Sequence, residues 1–368
     1  MRTIVEKIKY RRIYQTIYED IVNGNYQNGQ RLPSGNELAK KFSTSRPTVT
    51  KALGKLQKAG LIEACPGSGT YIRYPDKSTK IMSFGLLIPG LGETEIFESV
   101  CGHMARMADE AKLNLIWGGS MADNAETRRR QIELLTLRYV QQKVEGVFFT
   151  PLELTSEKDH INTRIVSTLD EAKIPIVLMD RDIVTFPNRS KYDLVSADNF
   201  RIGYVMAKHL IDHGYPVVKF VARPYSAPTV LLRMSGFQEA LRQTGSVSST
   251  LGSIGIGDVD NLEFVRDLVK QTERVGIVCA NDTTAARLMH SLSEMGYDIP
   301  KQVAVVGVDD IKYAKYLRVP LTTYRQHCQD IAKMAINLML SRISDPSLPP
   351  RQICLDGELI TRKSCGCK

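Results

Sequence analysis

Apolar residues recur three or four positions apart in three short stretches of the first 60 residues. They are Ile13, Ile17 and Ile21, then Leu38, Ala39 and Phe42, then Val49, Ala52, Leu53 and Leu56. Each stretch predicts a helix with one buried face. Gly24 is placed to end the first helix. Ser34 and Glu37 have the spacing of a capping box, which predicts that the second helix begins between them.

The third predicted helix has a basic outer face. Ser45 can cap it, and Pro47 is tolerated in a first turn because its missing N–H would be unbonded there. The face opposite the apolar stripe carries Pro47, Thr50, Lys51, Gly54, Lys55 and Lys58. Arg46 projects from the N-terminal end. A short turn followed by a helix of this kind is typical of a recognition helix in a DNA major groove.

A predicted hairpin follows the third helix. Residues 61–64 and 70–73 are strand-like and flank the glycine-rich sequence PGSG at 66–69. Glycines allow backbone N–H groups to approach a phosphate or the minor groove. The hairpin therefore has the character of a wing beside the recognition helix.

Strand-like and helical patterns alternate through the rest of the chain. Strands are predicted near 82–88, 113–117, 146–150, 175–180, 193–197, 217–222, 275–280 and 302–308. Helices are predicted at 97–112, 125–144, 200–213, 229–243, 262–272 and 282–295. The pattern predicts an α/β fold of parallel, doubly wound sheets. So many strands favour two sheets in two lobes, with a cleft at the carboxyl ends of the strands.

The sequence predicts three segments along the chain. Residues 1–75 form a winged helix-turn-helix domain, the polar residues 76–80 form a linker, and residues 81–368 form the two-lobed domain. Lobe 1 is predicted at about 81–190 and 310–323, and lobe 2 at about 191–309 and 324–365.

The excess of positive over negative charge is confined to the first predicted domain and the linker. Residues 1–80 contain 15 Lys or Arg and 6 Asp or Glu, so their net charge of +9 equals that of the whole chain. A positive module on a neutral body is the electrostatic pattern of a nucleic-acid-binding domain. Charge alone also allows an anionic membrane or an acidic protein as the partner.

Cysteine usage and hydropathy indicate a chain without a disulfide framework. Seven scattered cysteines favour a reducing cytoplasm. No apolar stretch approaches the roughly 20 residues that span a bilayer, and we expect no membrane partner. The tail Cys365-Gly366-Cys367 is interpreted as frayed, with free thiols. His209 and His213 are four residues apart but lack the glutamate of a zinc-protease motif, so no metal is expected.

Residues 10–73, approximately, resemble the winged helix-turn-helix of the GntR family. The match is carried by LPS at 32–34, SRPTV at 45–49, GL at 60–61 and GSGT at 67–70. The resemblance implies that Arg46 reads a base edge, that Thr48 contacts phosphate and that the wing glycines approach the minor groove. The chain departs from the family where Thr50 replaces a frequent arginine and Gly35 a frequent glutamate. The candidate DNA-binding residues are Ser34, Asn36, Ser45, Arg46, Thr48, Thr50, Lys51, Lys55, Gly67, Ser68, Gly69 and Thr70.

Residues 82–365 resemble the effector domain of the LacI/GalR family, a relative of periplasmic sugar-binding proteins. The match is carried by PIVLMDR at 175–181, RMSGF at 233–237, CAND at 279–282, GYDIP at 296–300, VGVDD at 306–310 and PLTTY at 320–324. A GntR-type head on a LacI-type body resembles the arabinose-repressor branch. The resemblance implies a sugar in the cleft, with paired hydrogen bonds from Arg233. The candidate ligand-binding residues are Glu95, Thr150, Asp180, Arg181, Tyr225, Arg233, Asn281, Asp309 and Gln326.

Together these features predict a transcription regulator, either a repressor or an activator and more in keeping with a repressor. It would bind double-stranded operator DNA as a homodimer and respond to a small sugar or sugar derivative. No catalytic residues and no cofactor are expected, because no P-loop and no G-x-S-x-G motif is present. Two alternatives stay open: a constitutive DNA-binding protein with a vestigial cleft, and an enzyme, such as one with a pyridoxal-phosphate body, carrying a DNA-binding head.

Overall fold

A computed structural model describes residues 2–22, 25–65, 68–73, 81–89, 95–118, 125–245, 253–270 and 274–367, without the side chains of residues 2–9, 22, 95 and 125. The chain divides into two compact units, Met1–Ile81 and Met82–Lys368. The predicted linker 76–80, Gly24, Gly67 and the side chain of Glu95 lie outside the described residues.

The first unit is a three-helix domain with a two-stranded hairpin. Its elements are α1 (Arg2–Val22), α2 (Gly35–Lys41), α3 (Arg46–Lys58), β1 (Ile62–Cys65) and β2 (Gly69–Ile72). The strands pair antiparallel. The helical stripes found in the sequence meet in one core, which includes Ile13, Ile17, Leu38, Val49 and Leu56. The structure thus confirms the three helices and the hairpin of the predicted domain.

The second unit contains two six-stranded sheets, as the alternating pattern predicts. Lobe 1 has the strand order β13-β7-β6-β5-β3-β4. These strands are β3 (Ser83–Leu87), β4 (Asn114–Trp117), β5 (Gly146–Phe149), β6 (Ile176–Met179), β7 (Asp193–Ala197) and β13 (Gln352–Leu355). All their pairings are parallel. Helices α4 (Glu95–Ala111), α5 (Ala125–Gln142), α6 (Lys158–Glu171) and α11 (Cys328–Ser344) cover the two faces of the sheet.

Lobe 2 has the strand order β14-β12-β11-β10-β8-β9. These strands are β8 (Val217–Ala222), β9 (Ile254–Ile256), β10 (Val275–Cys279), β11 (Val303–Asp309), β12 (Thr322–Gln326) and β14 (Gly357–Ile360). Only β14 runs antiparallel to its neighbour. Helices α7 (Asn199–Asp212), α8 (Pro228–Gln243), α9 (Leu262–Val269) and α10 (Asp282–Glu294) pack on this sheet.

The chain crosses between the lobes at other places than the sequence predicts. Strand β7 belongs to lobe 1, although residues from 191 onward were expected in lobe 2. Strand β12 belongs to lobe 2, and α11 with β13 returns to lobe 1. The crossings therefore follow β7, β12 and β13. The predicted segment 310–323 is not part of lobe 1.

The C-terminal tail is anchored rather than frayed. A single 3₁₀ turn, Lys363–Cys365, follows β14, and Ser364 and Cys365 are fully buried. The Ser364 hydroxyl accepts from the Thr322 N–H at 2.8 Å and donates to the Val305 carbonyl at 2.5 Å. These bonds tie the tail to β11 and β12, which corrects the interpretation of an unattached tail.

Across the ranges given above, no helix has both the length and the apolar character needed to cross a bilayer.

Candidate functional sites

The N-terminal end of α2 carries the predicted capping box. The Glu37 N–H donates to Ser34 Oγ at 3.3 Å, and the Ser34 N–H donates to Glu37 Oε2 at 2.7 Å. This backbone bond from Ser34 lowers the pKa of Glu37. Ser34 and Asn36 are both exposed, so they are accessible to a partner. The capping box fixes the start of α2.

The start of α3 presents Arg46 to solvent. Ser45 occupies the N-cap position in an extended conformation. Its hydroxyl does not cap a backbone N–H as expected but bonds to Thr48 Oγ1 at 2.8 Å. Thr48 is buried, and the predicted phosphate contact of Thr48 stays a prediction. The Thr50 hydroxyl donates to the Arg46 carbonyl at 3.0 Å, while Arg46 itself is exposed.

Two lysines on α3 lie beside aromatic rings of α1. The ammonium nitrogens of Lys51 and Lys55 are 5.0 Å and 5.4 Å from the ring centroid of Tyr10. Both side chains are exposed. The cation–π contacts hold the two charges near the helix surface, where they add to the positive field.

The wing is held against the turn before α2. The Leu32 N–H donates to the Thr70 carbonyl at 2.8 Å, and Ser68 Oγ lies 2.6 Å from the Tyr71 hydroxyl. Gly69 has φ of +124°, and a Cβ there would lie 2.6 Å from Arg31 Nε. A residue with a side chain would be strained at this φ, and its Cβ would collide with the Arg31 side chain, which lies against the wing. The exposed Arg31 is a candidate DNA contact that the sequence analysis missed, although it stands in the turn GQRLP.

Polar residues of the second unit converge on a cleft between the lobes. The lining comprises Ile96, Phe97, Glu153, Asp180, Arg181, Thr229, Val230, Arg233, Asn281, Thr283, Asp309, Ile311 and Gln326. Six of the nine expected ligand-binding residues are among them. Thr150 is buried but outside this lining, and Tyr225 is 58% exposed and also outside it. Parallel sheets bring the carboxyl ends of their strands to one edge, which is why these residues meet.

Arg233 is held rigidly in the cleft wall. It is 5% exposed, its Nε donates to Asn199 Oδ1 at 2.8 Å, and its Nη1 donates to the Ala280 carbonyl at 2.5 Å. Nη2 makes no hydrogen bond to the part of the chain that the structure describes. The two bonds fix the plane of the guanidinium, and Arg233 lines the cleft in this orientation.

Glu153 and Arg181 form an ion pair at the floor of the cleft. Arg181 Nη1 lies 2.5 Å from Glu153 Oε1, and Arg181 Nε lies 3.1 Å from Asp180 Oδ2. Burial raises the pKa of Glu153, but the charge and hydrogen bond of Arg181 outweigh it, so this pKa lies below its usual value. Burial also raises the pKa of Asp180, and there Arg181 and Arg233 offset only part of the effect. The sequence analysis missed Glu153, which stands four residues beyond β5.

Asp309 faces the same space from lobe 2. Gln326 Nε2 donates to its Oδ1 at 2.7 Å. Burial raises the pKa of Asp309 to about 6, against the opposing effect of Arg233. Asn281 caps α10 by accepting from the Thr284 N–H at 2.8 Å. The cleft thus offers carboxylates, amides and a guanidinium, groups that can each bond to a hydroxyl.

The lobes are close together in this structure. The Ala227 N–H of lobe 2 donates to Glu153 Oε2 of lobe 1 at 3.0 Å, and the Leu154 N–H donates to the Tyr225 carbonyl at 2.8 Å. The cleft encloses about 60 Å³. This is below the roughly 300 Å³ of ordinary ligand pockets. A neighbouring cavity of about 370 Å³ shares Asp309 and Gln326 with its lining.

Comparisons with protein families agree with the two units. Residues 9–72 match the gntR family of bacterial regulatory proteins, and residues 207–365 match the periplasmic binding protein-like domain. The arabinose metabolism transcriptional repressor of Geobacillus stearothermophilus is 24% identical over 97% of each chain.

Solved structures of similar fold include two sugar complexes. A complex of the transcriptional regulator CelR with cellobiose has a TM-score of 0.65 and 20% identity, covering 87% of this chain and 90% of that one. A LacI family regulator of Enterococcus faecalis V583 with bound ribose has a TM-score of 0.61 and 25% identity, covering 77% of this chain and 98% of that one.

Proposed function

Because the chain joins a GntR-type helix-turn-helix domain to a periplasmic-binding-protein-like domain, we propose that it is a transcription regulator controlled by a small sugar. The single observation that carries this proposal is the cleft, where Arg233 is held in place and faces the carboxyl groups of Asp180 and Asp309. Such a site needs only to bind its ligand, not to transform it.

The donor and acceptor set favours a polyhydroxylated ligand. Carboxylates accept two hydrogen bonds from neighbouring hydroxyls, and the amides of Asn281 and Gln326 can both donate and accept. Arg233 Nη2, which is not engaged by Asn199 or Ala280, can donate to hydroxyl oxygens of the ligand. The sugars in the CelR and Enterococcus complexes support the same ligand class for this chain.

The proposed DNA interface consists of the N-terminal end of α3, the start of α2 and the wing. Arg46 reads a base edge in the major groove, while Lys51, Lys55 and Arg31 contact the phosphate backbone. The protein acts as a repressor in the cytoplasm, in line with the arabinose repressor to which it is similar. It binds a two-fold operator as a homodimer.

A thermal-shift screen of pentoses, hexoses, disaccharides and their phosphates tests the cleft. We expect one class of sugar to raise the melting temperature of the wild type. Arg233→Ala should lose this shift, because a charge-assisted hydrogen bond in a desolvated site contributes about 1.5–3 kcal/mol. Arg242→Ala, on the exposed face of the same helix, is the matched control and should keep it. A full panel without any shift would favour a vestigial cleft.

The alternative of an enzyme with a DNA-binding head lacks support from the cleft. A pyridoxal-phosphate enzyme needs a lysine that forms a Schiff base with the cofactor. Among the described residues, none of those lining the cleft is a lysine. The absorbance spectrum of the purified chain tests this alternative, since a bound cofactor would add a band beyond that of the protein.

A further inference from the structure

Two histidines and a cysteine more than 150 positions further along the chain lie close together on lobe 2. His209 and His213 stand one turn apart on and just after α7, and Cys367 stands at the end of the chain. The ligand atoms of these three side chains all lie within 4.8 Å of one another. No metal was expected from the sequence, because the histidines lack the glutamate of a zinc-protease motif and the tail cysteines have no second pair at zinc-site spacing.

One of the distances in this cluster agrees with the geometry of a tetrahedral zinc ion. Cys367 Sγ lies 3.5 Å from His209 Nε2. With a Zn–S bond of about 2.3 Å and a Zn–N bond of about 2.05 Å, the sulfur and nitrogen of one tetrahedral ion are about 3.6 Å apart. The His209 and His213 rings lie 4.4 Å apart, centroid to centroid.

The tautomer of His213 suits a ligand. Its Nδ1 lies 2.6 Å from the His209 carbonyl oxygen. A carbonyl oxygen can only accept, so Nδ1 carries the hydrogen and Nε2 keeps its lone pair. A ligating histidine usually donates its other ring N–H to a carbonyl or carboxylate in this way.

The tail holds Cys367 in place before any metal binds. Cys365 is fully buried, and its carbonyl accepts from the Tyr215 hydroxyl at 3.1 Å. The Cys365 and Cys367 sulfurs are 2.9 Å apart. Two sulfurs bound to one tetrahedral zinc ion are about 3.8 Å apart, so Cys365 Sγ would have to move by about 1 Å to become a fourth ligand. Otherwise water can take the fourth coordination position.

We propose that His209, His213 and Cys367 form a zinc site that fastens the C-terminal tail to helix α7. Imidazole and thiolate are the ligands that Zn²⁺ prefers, whereas Mg²⁺ and Ca²⁺ prefer oxygen. The site lies on lobe 2 and is separate from the residues that line the cleft. It does not depend on the proposed sugar or on DNA binding.

Zinc and cobalt binding to the tag-free, reduced, full-length chain tests the site. We expect about one Zn²⁺ per chain, and with Co²⁺ a thiolate charge-transfer band and the visible absorption of a tetrahedral ion. His213→Ala and Cys367→Ser should each weaken Zn²⁺ binding more than about 100-fold, because losing a ligand costs more than losing a partner that merely orients one. His290→Ala removes an exposed histidine of α10 and should bind like the wild type.

Two results would overturn the proposal. One is equal Zn²⁺ affinity in the wild type and in the His213→Ala and Cys367→Ser variants, with circular dichroism showing that all are folded. The other is a Cys365–Cys367 disulfide in the purified chain whose reduction fails to restore Zn²⁺ binding. Cys365→Ser distinguishes the ligand roles: loss of the thiolate band in Cys367→Ser alone supports the three-residue site.

Discussion

Arg46 is the residue on which sequence recognition depends in this account. It is exposed at the first position of α3, and the Thr50 hydroxyl bonds to its carbonyl oxygen rather than to its side chain. Arg46→Ala should weaken specific operator binding by about 1–3 kcal/mol, the contribution of a bidentate base contact. Binding to unrelated DNA should change less, which titration of both DNAs by fluorescence anisotropy measures.

The matched control for this variant is Lys51→Ala on the same helix. A phosphate contact contributes equally to all sequences, so this change should weaken both DNAs and reduce the salt dependence of binding. If Arg46→Ala and Lys51→Ala affect specific and unrelated DNA alike, Arg46 does not read a base.

The carboxyl group of Asp309 should make stability depend on pH. Its pKa of about 6 in the folded chain lies above the ordinary aspartate pKa of 3.8, so the folded chain binds the proton more tightly than the unfolded chain. Stability should therefore fall as pH rises from about 4 to about 6, and the loss should persist above that range. Asp309→Asn keeps an oxygen for the Gln326 amide and should be more stable than the wild type at pH 7. Its free energy of unfolding should be higher by on the order of 1–3 kcal/mol.

Differential scanning calorimetry at pH 4 to 7 follows this difference. The melting temperatures of Asp309→Asn and the wild type should converge near pH 4, where both side chains are neutral. Asp267→Asn, an exposed carboxylate paired with Lys270, should show no comparable trend. A stabilisation of Asp309→Asn that is the same at pH 4 and pH 7 would contradict a raised pKa.

Residues at strand ends could be predicted from the sequence, but their partners could not. Asp180, Arg233 and Asp309 were found because they stand in recognisable motifs at the ends of strands or at the start of a helix. Glu153 stands in a loop, and its pairing with Arg181 arises only when two neighbouring strands lie side by side. Tyr225 was expected in the cleft, but its backbone, rather than its ring, joins the two lobes.

At the scale of elements, the crossing of α7 and α8 positions Arg233. A Cβ at Gly203 would lie 1.8 Å from the Arg233 carbonyl oxygen, so the backbones of the two helices touch there. Gly203→Ala should force the helices apart and destabilise the fold by about 1–3 kcal/mol or more, as overpacking does. Because α8 carries Arg233, the ligand-induced thermal shift should also become smaller.

Gly102→Ala is the control for this helix crossing. Gly102 lies in α4 with nothing within 4 Å of its Cβ position, so alanine there should stabilise the chain by roughly 0.5–1 kcal/mol. The melting temperatures of both variants, measured with and without sugar, test whether α7 and α8 are in close contact at Gly203. A Gly203→Ala variant as stable as Gly102→Ala would mean that the helices are not in such close contact.

Most helices and strands were predicted from their patterns, but helices α6 and α11 and strands β9, β12, β13 and β14 were not among the predicted spans. Helices α4, α5, α7, α8 and α10 agree with their predicted spans to within about two residues at each end. Strands β13 and β14 are four residues long and only partly buried, so their sequences lack a continuous apolar run. Because β12, β13 and β14 were missing from the predicted strands, the sequence could not show where the chain crosses between the lobes.

At the scale of the whole molecule, the two units should separate in function. The excess charge lies before residue 81, and the compact units divide after Ile81. Residues 1–81 should fold but bind operator DNA about 10²–10⁴-fold more weakly than the full chain. In a dimer, binding of one DNA-binding domain holds the second at a high effective concentration beside its half-site, and the isolated domain loses this gain. Residues 82–368 should bind sugar and form a dimer by light scattering. A monomeric body, together with full operator affinity of residues 1–81, would exclude pairing through the body.

If a ligand in the cleft controls DNA binding, sugar should change the affinity of the full-length chain for its operator. The full-length chain is titrated onto DNA from its own promoter region, with and without the sugar that gives the largest thermal shift. The account predicts that sugar changes the affinity of the wild type and of Arg242→Ala at least tenfold, or about 1.4 kcal/mol. Arg233→Ala should bind DNA like the sugar-free wild type under both conditions. Equal affinity of the wild type with and without a sugar that demonstrably binds would contradict the account.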